Sequence, residues 1–247
     1  MNISGSGHIP AGEYNENISI SGSGKINGNL RCLSISCSGS IKGEGNVFCN
    51  GDFKCSGSTH LEKELHAKNI TVSGSLRVAE NIFCENNVRV SGGMVCKGKL
   101  KSGSVSCAGS IEISGDMEAE EFKSEGKLIC RGLLNGEKIN ISLDGAGGRV
   151  GSIGGSEIRI YWDSKNPRSK KLGRMPLFSK LVNESSCGCF VVEEQIEGDM
   201  VAIEYVKTPK VVGRVVAIGT DCEIDLVQYT EEIEIHPDAK VGKIEKI

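Results

Sequence analysis

Aromatic residues are scarce in this chain of 247 residues: one Trp, four Tyr and six Phe. A core must therefore be built from Ile, Val, Leu and Cys, within a hydrophobic share of 38%. Proline is rare too, at five residues, and no strict Gly-X-Y triplet runs through the sequence, which excludes collagen. No apolar run reaches the eighteen or so residues that a membrane span needs. The start, Met1-Asn2-Ile3-Ser4-Gly5, has neither the basic nor the apolar region of a secretory signal. A net charge of only −3 argues against nucleic acid as the main partner. Low charge and recurrent β-branched residues also argue against disorder. Eleven Cys without a secretory signal point to a reducing compartment and free thiols. The expectation is a cytoplasmic protein with no transmembrane segment.

What is abundant is glycine, at 33 residues, and it recurs. Ser-Gly-Ser or a close relative places Gly at 5, 22, 39, 57, 74, 92, 109, 126 and 145, with gaps of 17 to 19. Repeats of this length announce a solenoid or array. Aligned on that Gly, residues four before it include Ile18, Ile35, Phe53, Ile70, Val88 and Val105. Two before it stand Ile3, Ile20, Cys37, Cys55, Val72, Val90 and Cys107. Eight after it stand Leu30, Val47, Leu65, Ile82, Leu100, Met117 and Leu134. Ten after it, small residues dominate: Cys32, Cys49, Ala67, Cys84, Ser102, Ala119. Looser apolar columns lie two and four after it, for example Ile9, Ile26, Leu61 and Val78. Within each pair the spacing is two, the strand period, and helical periodicity fits badly.

Three short strands per repeat make a three-sided coil, with Gly at corners because it accepts positive φ. One coil cannot bury its own apolar face, so coils stack at about 4.8 Å each. The fold expected is all-β: a three-sided parallel β-helix, or β-solenoid, with 17–18-residue coils over residues 1–162. A hexapeptide-repeat solenoid, left-handed, keeps a strict beat of six. The coils here break that beat, which favours the right-handed class. Residues 163–186 break the pattern and are basic (Lys165, Arg168, Lys170, Lys171, Arg174, Lys180 against Asp163), reading as a linker or loop. A patch for anionic lipid or a polyanion is the sharper alternative. Residues 187–247 form a shorter β-solenoid-like segment. Met200, Val206, Val212, Ile218 and Ile224 there suggest a beat of six.

The string Ile18-Ser-Ile20-Ser-Gly22-Ser-Gly-Lys-Ile26-Asn-Gly28-Asn-Leu30 resembles the bactofilins, bacterial polymer-forming cytoskeletal proteins. The resemblance covers residues 1–160, and Val216-Ala-Ile218-Gly-Thr-Asp-Cys222-Glu-Ile224 is similar to the tail of longer members. It implies a right-handed three-sided β-helix that assembles end to end without nucleotide. The implied partner is the protein itself, as a homopolymer, along with cell-envelope or membrane-associated proteins. The chain departs from the family in beginning its coils at residue 3 and in carrying the segment after 160.

No catalytic, cofactor or metal site stands out. His8, His60, His66 and His236 adjoin no nucleophile motif and read as surface residues. Cys187-Gly188-Cys189 has no second pair of matching spacing for zinc. The Gly-dense stretch 145–155 lacks the Lys-Ser/Thr of a phosphate loop and reads as a flexible coil edge. The expected function is therefore a self-assembling scaffold, not an enzyme. The alternative is a solenoid enzyme, either a hexapeptide-type acyltransferase or a polysaccharide-active β-helix enzyme. Uncapped coils at both chain ends make Ile3, Ile9, Ile235, Val241 and Ile247 the candidate self-association residues.

Overall fold

A computed structural model describes residues 1–143, 147–162 and 189–247. Among them every regular element is a β-strand, and every strand pair given a register is parallel. The fold is a β-solenoid. Two compact units make up the chain, Met1–Glu120 and Glu121–Ile247. The basic segment 163–186 and Cys187 lie outside the described residues.

In the first unit one coil divides into Ser40–Gly43, Val47–Cys49 and Asp52–Cys55, while neighbouring coils run these segments together, as in Ser23–Cys37 and Leu65–Val72. The expected columns become ladders. Ile18, Ile35, Phe53, Ile70, Val88 and Val105 are partnered coil to coil, and all are buried. Coils in register at strand spacing bring like side chains into contact along the whole stack. Coils of 17 and 18 residues coexist because the extra residue is absorbed in small bulges, such as that between Cys84 and Asn87.

The corner glycines act for a reason other than the one expected. Gly22, Gly39, Gly57, Gly74, Gly92 and Gly109 do not have positive φ; among the glycines of the described residues only Gly12, Gly28 and Gly147 do. A Cβ on Gly39 would instead lie 1.9 Å from the Gly22 carbonyl oxygen, and one on Gly57 would lie 1.9 Å from that of Gly39. The backbone of one coil sits directly on the backbone of the next. There the Ser38 and Gly39 N–H groups both donate to the Ile20 carbonyl, at 2.9 and 3.2 Å, and Ser40 N–H donates to Gly22. The same trio repeats at Ser56, Gly57 and Ser58. Gly28 is a separate case: its φ of 134° needs glycine's freedom.

The second unit is also parallel and stacked. Ile139, Ile158, Val201, Val216 and Ile233 form one ladder, and Ile141, Ile160, Ile203, Ile218 and Ile235 the adjacent one. The segment after residue 188 therefore continues the stack begun by Lys127–Leu143 and Gly148–Trp162. Its beat differs from the expected six. The buried positions are Ile196, Val201, Val206, Val211 and Val216, five apart, whereas Met200 is 45% exposed. Coils shorten to 15 residues here, as in Val201 on Val216. The Gly-dense stretch is also corrected: Gly148–Trp162 is a strand rather than a flexible edge, and Asp144–Ala146 lie outside the described residues.

Candidate functional site

The five candidate self-association residues fall on the outer coils of the two units. In the first unit Asn2–Ile3 pair with Ser19–Ile20, and Ser6–Tyr14 pair with Ser23–Cys32. On their other side no strand pairs with Ser6–Tyr14 among the described residues. Ile3 is half-buried, with its side chain lying against Gly7. Ile9 is fully buried and belongs to the core. This coil also carries edge-blunting features. Pro10 lacks an N–H, Glu13 is exposed beside Arg31, and the Met1 amino group is bound by Glu16. The Tyr14 hydroxyl donates to the Pro10 carbonyl at 3.1 Å.

In the second unit the outermost pairings are Glu232–Ile235 on Val215–Ile218 and Lys240–Lys246 on Glu223–Tyr229. Ile235 stacks on Ile218 and Val241 on Ile224, while Ile247 N–H donates to Tyr229. They are thus successive positions around one edge, not one ladder. Ile235 and Val241 are half-buried. Ile244 is 49% and Ile247 62% exposed on this edge, interspersed with the exposed charges of Lys240, Lys243 and Lys246. The Glu223 carboxyl there is held below the ordinary range by the Lys240 ammonium and then by Lys207.

A second feature lies on the flank of the first unit, where inward columns gave no reason to look. Nine residues after the repeat Gly, one outward side chain per coil gives Arg31, Phe48, His66 and Phe83. Phe48 and His66 stack with ring centroids 4.6 Å apart, His66 and Phe83 at 4.8 Å, and the Arg31 guanidinium lies 5.0 Å from the Phe48 ring centre. Those separations are the strand spacing itself, so the pairing register creates the stack. His66 is thus not a plain surface residue. Its Nε2 lies 3.0 Å from Glu64, whose other oxygen accepts from Asn81 at 2.9 Å. The His66 bond, then Asn81, hold the Glu64 carboxyl below its ordinary range. His8, His60 and His236 are exposed.

Beside this stack runs a groove of about 770 Å³. Its floor includes the small column Cys49, Ala67, Cys84, Ser102 and Ala119. The sequence signal was present, as four rings at one column offset (Tyr14, Phe48, His66 and Phe83), but diluted by Arg31, Lys101 and Glu118 at the same offset.

The cysteine ladders are core. Cys32 and Cys49 sulfurs approach to 3.8 Å, and the shared S–H together with burial pushes the Cys49 thiol up. Burial raises Cys96 and Cys222 to about 11 each. Among the described residues no group of His, Cys, Asp and Glu is arranged to hold a metal. Nor is any helix there long and apolar enough to cross a membrane. No family model, curated protein or solved structure matches the chain.

Proposed function

We propose that this protein is a structural, self-assembling scaffold of the bactofilin-like, polymer-forming kind. It extends by stacking solenoid coils end to end in the cytoplasm, needs no nucleotide, and meets cell-envelope or membrane-associated proteins as its partners. The observation that supports the reading is the outer edge of the second unit. It is a parallel-strand edge without a strand partner among the described residues, carrying exposed Ile244 and Ile247 beside half-buried Ile235 and Val241. Such an edge is a template for another chain. Interior coils already stack strand on parallel strand, so a second copy offers a surface of the same kind. Of the five residues expected to associate, Ile3, Ile235, Val241 and Ile247 are accessible to such contact, whereas Ile9 would act only as core.

Gly5 supplies the test. A Cβ on the corner glycine of each interior coil runs into the preceding coil, but one on Gly5 meets nothing within 4 Å. Gly5→Ala should leave the monomer's melting unchanged and block stacking of another coil on that side. Ile244→Lys with Ile247→Lys should do the same at the other edge. Sedimentation velocity and electron microscopy without nucleotide should show polymers for wild type and single chains for the variants. A wild-type protein that stays monomeric across micromolar concentrations defeats the scaffold reading.

A further inference from the structure

The groove on the flank of the first unit is independent of the coil edges and points to a separate activity. We propose that it binds a linear, uncharged polysaccharide laid along the stacking direction of the coils.

Direction comes first. The groove extends from Arg31 to Glu118, crossing one coil after another, so its length is roughly 24 Å at about 4.8 Å per strand spacing. From Phe48 to Glu120 each step meets the same three columns: an outward wall residue, a small buried residue, and a residue on the opposite wall. A ligand that reads such a site must itself be a repeat. A β-1,4-linked pyranose chain advances per sugar by a distance close to the coil spacing, so each coil meets one ring, with alternate rings turned over. An extended peptide repeats its side chains every two residues, at about 6.6 Å, and falls out of step. Peptides that bind sheets usually do so by adding a strand to an open edge. Here the backbones that bear the groove, Val47–Cys49, Leu65–Ala67 and Ile82–Cys84, are paired with neighbouring coils. Only side chains are offered.

The chemistry of the walls suits a sugar. One wall is the stack of Phe48, His66 and Phe83. Because the rings cover one another's faces, they present edges, whose positive C–H rims suit hydroxyl oxygens while their carbon covers apolar C–H groups. The opposite wall supplies an amide, an ammonium and two carboxylates from Asn50, Lys68, Glu85 and Glu120, so it offers both donors and acceptors. Charge then selects among polysaccharides. The cations Arg31, Lys68 and Lys101 are matched by Glu85, Glu118 and Glu120, and Lys101 is already bonded to Glu118 at 2.8 Å. A balanced groove gives no preference to a polyanion.

Isothermal titration of the whole protein with cellohexaose and chitohexaose, against their disaccharides and against hexagalacturonate, tests the proposal. At least one neutral hexasaccharide should bind, at least about tenfold tighter than its disaccharide, since each further sugar adds contacts worth about 1.4 kcal/mol per tenfold. Phe48→Ala with Phe83→Ala should weaken it about tenfold or more, a loss of about 1.4 kcal/mol or more. Lys68→Ala, an exposed wall residue outside the ring stack, is the second variant and should weaken binding with an unchanged melting curve. No heat from either neutral hexasaccharide at millimolar concentration overturns the proposal, as does a preference for hexagalacturonate. Unaltered affinity in both variants overturns the assignment to this groove.

Discussion

Replacing the corner glycine of an interior coil by alanine tests the stacking geometry most directly. At Gly39 the added Cβ falls 1.9 Å from the Gly22 oxygen and 2.5 Å from the Ser21 oxygen. Both obstacles are backbone, so no side chain can swing aside. An ordinary carbon–oxygen contact requires the coils to part by roughly 1 Å, a strain of the kind that costs about 1–3 kcal/mol when extra carbon is forced into a packed interior. Parting the corner also stretches the hydrogen bonds from Ser38, Gly39 and Ser40, at about 1 kcal/mol each. The sum is about 4–6 kcal/mol of lost stability for Gly39→Ala. Gly5 is the same residue in the same motif, with open space where its Cβ would go. Gly5→Ala should change stability by less than about 0.5 kcal/mol. Urea unfolding followed by far-ultraviolet circular dichroism measures both. Equal losses for the two variants would show that the glycines serve local conformation, not close approach of neighbouring coils, and would refute the reasoning.

Ile70→Asp buries an unpartnered charge in a ladder residue with no exposure and should cost several kcal/mol, whereas the exposed Lys68→Asp should stay within about 0.5 kcal/mol; equal thermal shifts would mean the inward face is misassigned. Cys96 and Cys222, raised by burial to about 11 each, should resist iodoacetamide at pH 8 in the folded protein and react once unfolded, as peptide mapping by mass spectrometry would show. The Glu64 carboxyl is depressed in the folded state, so its contribution is present above the unfolded carboxylate range, near pH 4, and is lost as pH falls through the folded value. Glu64→Gln should therefore flatten part of the acid limb of stability below about pH 4 and leave its shape near neutrality unchanged.

The ladders of the first unit were legible because a strand's period of two, locked to Ser-Gly-Ser, leaves its imprint at every coil. Ile18, Ile35, Phe53 and Ile70 could be aligned from letters alone. The second unit was less legible because its coil length changes: Leu128 pairs with Gly148 twenty residues on, yet Val201 pairs with Val216 fifteen on. A fixed period cannot track that. Met200 and Val212 fitted a beat of six by coincidence, and contact with the preceding coil selected Val201 and Val211 as the buried positions. The flanking groove escaped for another reason. Outward residues are free to vary, so Phe48, His66 and Phe83 read as three scattered polar-face substitutions until the register stacked them. Corner glycine was found at the right positions for the wrong cause, since a sequence does not display the distance between coils.

The continuity of the second unit's ladders across residues 163–188 has a kinetic consequence. Ile158 meets Val201 as closely as Val201 meets Val216, although 43 residues separate the first pair and 15 the second. Closing the longer loop costs about 1 kcal/mol more in chain entropy, since the cost grows with the logarithm of length. The coils after Phe190 thus hold the entropic advantage and template one another before they join Gly148–Trp162. Among the described residues that junction spans far more sequence than the one-coil pairings around it, and it is the natural place for folding to pause.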